Sequence, residues 1–118
     1  MTSSQQLPIP ATRLVYGRGF AVTVPETLDA DWKTYPTNAY RTLAAAQRMA
    51  ARELAWCRAQ QITDVADVVV DSTGTYGEGV HLVMYLYTDE AAAERKASAL
   101  RHQESVIAAE ARKAAWTS

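Results

Sequence analysis

The sequence predicts an α+β fold: a small antiparallel sheet of about three strands, in the order β-α-β-β-α, with two helices packed on one face. Three observations lead there. Apolar residues alternate between Leu14 and Val24, two long segments consist of strong helix formers, and between those segments two β-rich runs flank a glycine-bearing turn.

Residues 1–11 contain Pro8 and Pro10 without periodicity and read as a flexible N-terminal arm, which leaves 12–118 as a single α+β domain. Leu14, Tyr16, Phe20, Val22 and Val24 fall at even positions, the period of one half-buried strand, with Gly17 and Gly19 marking a bulge or bend and Pro25 ending it. Residues 26–36 follow as a loop folded back onto the core by Trp32 and Tyr35. Thr37 or Asn38 is expected to cap a first helix over 39–60, a segment rich in Ala, Leu, Arg, Met and Gln. At ~100° per residue, Leu43, Ala46, Gln47, Ala50, Leu54 and Cys57 gather on one side of it and Arg41, Arg48 and Arg52 on the other. Residues 62–71 and 79–87 form a hairpin around the turn 72–78. Thr88, Asp89 and Glu90 then open a last helix reaching about Trp116, with a capping hydroxyl and acids at its positive end.

With the turn centred on Tyr76, Asp71 pairs with His81, Val69 with Val83, Asp67 with Tyr85 and Val65 with Tyr87. Val80, Leu82, Met84 and Leu86 then belong to the core beneath the helices. His81, Val83, Tyr85 and Tyr87 share an outer face with Asp67 and Asp71.

At 118 residues, 48% hydrophobic and 21% charged, the chain has the composition of one ordinary globular domain. The single cysteine, Cys57, excludes an internal disulfide and a Cys/His zinc cluster. Neither a signal-peptide pattern nor an apolar run long enough for a membrane is present, so a soluble cytoplasmic protein is expected. The net charge of −1 conceals segregation: residues 1–58 hold seven Lys or Arg against four acids, whereas 59–94 hold seven acids and no Lys or Arg. A basic region and an acidic region follow.

No phosphate-binding loop, metal motif or cofactor motif occurs: Gly74, Gly77 and Gly79 are turn residues, and Cys57 on the apolar side of a helix reads as a small hydrophobe. Asp71 beside His81 resembles an acid/base pair, but without a nucleophile near it the pair is better explained as cross-strand stabilisation. A non-enzymatic protein-binding module is therefore expected. It would act through Asp67, Asp71, His81, Tyr85 and Tyr87 on a protein partner with a basic surface, as an inhibitor or regulator that mimics nucleic acid. The alternative is nucleic-acid binding by Arg41, Arg48 and Arg52, with Trp56 stacking on an unpaired base. In the last helix Ala93, Ala97, Leu100, Ile107, Ala111 and Ala114 form a stripe interrupted by Glu104, and Leu100 and Ile107 mark it as a homodimer surface.

Overall fold

In the computed structural model, which describes residues 12–25 and 32–117, the elements run β1 (Thr12–Gly17), β2 (Phe20–Pro25), β3 (Thr34–Tyr40), α1 (Leu43–Ala59), β4 (Val65–Asp71), β5 (His81–Tyr87) and α2 (Asp89–Thr117). The strands make one mixed sheet ordered β2-β1-β3-β5-β4, antiparallel throughout except where β1 meets β3. The α+β class and the two helices are as the sequence predicts, whereas the sheet has five strands rather than three and the order is β-β-β-α-β-β-α. The expected N-terminal arm, 1–11, lies outside the described residues.

Both extra strands have a physical explanation. The segment read as one strand is a hairpin that turns at Arg18 and Gly19, with Gly17 opposite Phe20 and Gly19 at φ 83, where a glycine avoids the Cβ clash. A two-residue turn pairs odd positions with even ones, as in Val15 opposite Val22, so the inward set changes parity across it. Val15, Val22 and Val24 are buried, while Leu14 and Tyr16 face out. The strand β3, Thr34–Tyr40, covers the last residues of the expected loop and the expected start of the first helix. Its Pro36 and Asn38 disfavour a strand locally, and the ladder accommodates them with a bulge between those two residues. The helix starts later, with Thr42 as its cap: the Thr42 hydroxyl accepts from the Ala45 N–H at 3.3 Å.

The register of the β4–β5 hairpin decides which face is which. Asp71 lies opposite Leu82, Val70 opposite Val83 and Val68 opposite Tyr85, one residue off the expected pairing, and a bulge between Val65 and Asp67 restores Val65 to Tyr87. Because side chains alternate with period two, that shift transfers Val68 and Val70 to the tyrosine side and Asp67, Val69 and Asp71 to the other. Arg58 in the last turn of α1 donates to the Val65 carbonyl at 2.8 Å and the Ala66 carbonyl at 2.7 Å, taking up the two acceptors at the bulge.

The sheet therefore has two buried faces. On one, Ala46, Ala50 and Cys57 of α1 pack on Val65, Val68 and Val83, with Tyr40, Tyr85 and Tyr87 at the margin. On the other, Val15, Val22, Val24, Ala39, Leu82 and Met84 form a second cluster with Val80 and the ring of Tyr76. The expectation that the helices cover Leu82 and Met84 is thus inverted: α1 covers the face of Val83, which is fully buried. The first part of α2 lies on that same side. Arg95 stacks on Tyr87 with its guanidinium carbon 4.5 Å from the ring centroid and on Tyr35 at 5.2 Å, and it donates to the Trp32 carbonyl.

Removing the Arg58 side chain leaves two bulge carbonyls without their charged donor. Arg58→Ala is expected to lower unfolding free energy by about 1–3 kcal/mol, read from the urea midpoint at unchanged m-value. A midpoint equal to that of the unmodified protein would show that the bulge is held without Arg58.

Candidate functional site

A cleft of about 580 Å³ opens where the β1–β2 turn, the end of β3 and the first turns of α1 meet. Each wall follows from local chain chemistry. Arg18 occupies the first turn position of the hairpin, and Phe20 begins the next strand with its ring lying against Gly17. A Cβ at position 17 would collide with both that ring and the Ala39 carbonyl, so the glycine is what lets Phe20 lie flat and β1 approach β3. Arg41, between β3 and the helix cap, stacks on Phe20 with its guanidinium carbon 4.0 Å from the ring centroid. Arg48 and Arg52, one helical turn apart on α1, complete the basic side, and Asn38 and Tyr40 come from β3.

The electrostatics all have one sign. Among the described residues no carboxylate lines the cleft, and the first turn of α1 carries no acid to offset the partial positive charge of the helix start. Among the described residues Arg18, Arg41, Arg48 and Arg52 make no ion pair and no hydrogen bond. Four guanidinium groups, one of them held in place by an aromatic face, surround a space large enough for a nucleotide-sized group. Burial pushes the Tyr40 hydroxyl pKa up, Glu53 pushes it the same way, and Arg18 opposes them. Glu53 itself lies on the sheet side of α1, where its carboxylate accepts from the Thr37 hydroxyl at 3.3 Å. Burial raises its pKa above the ordinary value, and that hydrogen bond pulls it down by less.

Of the residues singled out from sequence, Arg41, Arg48 and Arg52 are brought together here, and Trp56 follows Arg52 one turn along α1, exposed to 54%. Arg18 is the member that sequence reasoning missed. Its signal was a basic residue between two glycines in an alternating run, which identifies a hairpin tip once the run is seen to be two strands.

The acidic and aromatic set is not assembled. Tyr85 and Tyr87 meet edge to face with centroids 6.3 Å apart, half-buried against the α1 cluster, while Asp67 and Asp71 are on the opposite face. Asp71 closes the following turn by accepting from the Thr73 backbone N–H at 2.9 Å and the Thr73 hydroxyl at 2.7 Å. His81 instead meets the Ser72 hydroxyl through Nδ1 at 2.7 Å and lies opposite Tyr40 in the ladder, so the expected Asp71–His81 pair is absent. Cys57 is buried. Among the described residues no group of three or more His, Cys, Asp or Glu is placed to hold a metal ion, and no helix is long and apolar enough to cross a membrane.

Comparison with protein-family models, with curated proteins and with solved structures finds no significant match to this chain.

The raised pKa of Glu53 has a sign that stability measurements can check. A carboxyl that holds its proton more tightly in the folded state contributes fully below its unfolded pKa. That contribution is lost as pH rises through the interval up to the folded value. Glu53→Gln is therefore expected to raise the melting temperature by about 1–3 °C at pH 7 and by less at pH 4. A gain larger at pH 4 than at pH 7 would show that Glu53 is stabilised as the anion.

Proposed function

We propose that this protein is a non-enzymatic binding module that takes single-stranded nucleic acid in the arginine-lined cleft and along the exposed side of α1. The observation that carries this reading is the set of four guanidinium groups without any carboxylate among the described residues that line the cleft. Guanidinium groups grip phosphate bidentately, and a helix start free of acids adds to the attraction. Arg41, held over the Phe20 ring, supplies a cation at the cleft for a phosphate or a base, and Trp56 offers a stacking platform one turn beyond Arg52. Arg48, Arg52 and Trp56 thus form a line leading out of the cleft, which suits an extended strand better than a mononucleotide. The net charge of −1 does not oppose this, because the seven acids of 59–94 belong to β4, the residue before it, the turn after it and the start of α2, and none of them lines the cleft. A binding role rather than a catalytic one is supported by the burial of Cys57 and the separation of His81 from Asp71.

Fluorescence anisotropy with a labelled single-stranded oligonucleotide tests this. Replacing Arg41, Arg48 and Arg52 together by Ala should weaken binding at least about tenfold and lower the slope of log K against log salt by about 2, since each single-strand phosphate contact contributes roughly 0.7. Trp56→Ala should cost about five- to a hundredfold without altering that slope, because stacking releases no counterions. Absence of binding to single-stranded DNA and RNA at low salt would overturn the proposal. So would a triple variant that binds as well as the unmodified protein.

A further inference from the structure

The 29 residues of α2 extend about 44 Å at 1.5 Å per residue, whereas a seven-residue strand covers about 23 Å. The helix therefore runs off the sheet. Ala91 and Ala92 are buried and Arg95 is held by Trp32, Tyr35 and Tyr87, but every residue from Glu104 to Trp116 is exposed. Ile107 is 57% exposed, and with half-buried Leu100 it centres a stripe about 120° around the helix from the docked side.

We propose that this stripe pairs with the same stripe of a second copy, as an antiparallel two-helix coiled coil centred near residue 102. The spacing of Ala93, Ala97, Leu100, Glu104, Ile107, Ala111 and Ala114 alternates by four and three, the spacing of a coiled-coil seam. Charge selects both the partner and the direction. In an antiparallel pair Ile107 packs against Ala97 of the other copy and Leu100 against its Glu104, so large side chains meet smaller or polar ones across the seam. The flanking position then sets Lys96 of each copy against Glu110 of the other, with Gln103 facing Gln103 on the two-fold axis. Glu104 comes beside Arg101 of the other copy, which already carries an ion pair to its own Glu94 at 2.9 Å. A parallel pair would instead put Glu104 against Glu104 in the seam and Lys96 against Arg101 on the flank, two like-charge contacts that destabilise that arrangement. The pairing is independent of the cleft, whose arginines lie on other elements.

Sedimentation equilibrium on the full chain at micromolar concentration should give twice the 13.0 kDa of one copy. Ile107→Asp should give the single-copy mass with the far-UV circular dichroism of a folded protein, since this exposed position contributes little within one chain. Lys96→Glu should weaken the dimer about tenfold or more, and adding Glu110→Lys should restore it. Gln103→Cys should form a disulfide-linked dimer on mild oxidation. A single-copy mass at 100-fold higher concentration overturns the proposal. So does a dimer indifferent to Ile107→Asp, a charge reversal that the second substitution fails to rescue, or a Gln103→Cys protein that stays uncrosslinked.

Discussion

Arg58 donates to the carbonyls of Val65 and Ala66, and these two bonds sit at the point where β4 changes face. Much of the molecule depends on that point. Without the bulge, a β4 in register at Val65 would keep Asp67 and Asp71 beside the tyrosines throughout. With it, the stretch from Asp67 to Asp71 turns over, Val68 and Val70 meet α1, and the acids leave the aromatic side. A single inserted residue thereby moves five side chains across the sheet, because the strand period is two. The helix that gains the valines also supplies the arginine that stabilises the bulge, so β4 and α1 position one another.

The basic cleft is a consequence of the same packing. Burying Ala46, Ala50 and Cys57 rotates α1 so that Arg48 and Arg52 face outward, next to the β1–β2 turn. Small residues on the buried side allow the helix to approach the sheet closely, which brings Arg18 and Arg41 within the same cavity. Four like charges at such proximity repel one another, and exposure to water makes that tolerable. The Arg41–Phe20 stack and the glycine beneath it relieve none of the charge; they orient it.

At the other end of α1's face, the aromatic residues Trp32, Tyr35 and Tyr87 enclose Arg95 rather than a partner. Of the two tyrosines on the expected binding face, Tyr87 holds Arg95 and so helps attach α2. A Lys33–Asp89 ion pair at 2.7 Å and the Tyr87 N–H bond to the Lys33 carbonyl at 2.7 Å secure the same junction. These contacts fix the start of the helix, whose residues from Glu104 to Trp116 are exposed, and the molecule has two distinct surfaces, a basic cleft and an apolar helical face.

The sequence by itself determined what depends on neighbours a few residues apart. Fourteen of the positions expected in the last two strands lie in β4 and β5, the cap at Thr88 accepts from the Ala91 N–H as expected, and the outward placement of Arg48 and Arg52 on α1 and the apolar stripe of α2 follow from 100° periodicity alone. Tertiary structure decided the rest. It made a strand of 34–40, whose Pro36 and Asn38 have poor β propensity, because β5 and β1 both needed a neighbour for their backbone groups. It also split 12–25 into two strands, shifted the β4 register by one, and added Arg18 to the other arginines. Strand pairing is set by contacts between distant residues, and a one-residue change in that pairing reverses every inward and outward assignment while leaving local composition untouched.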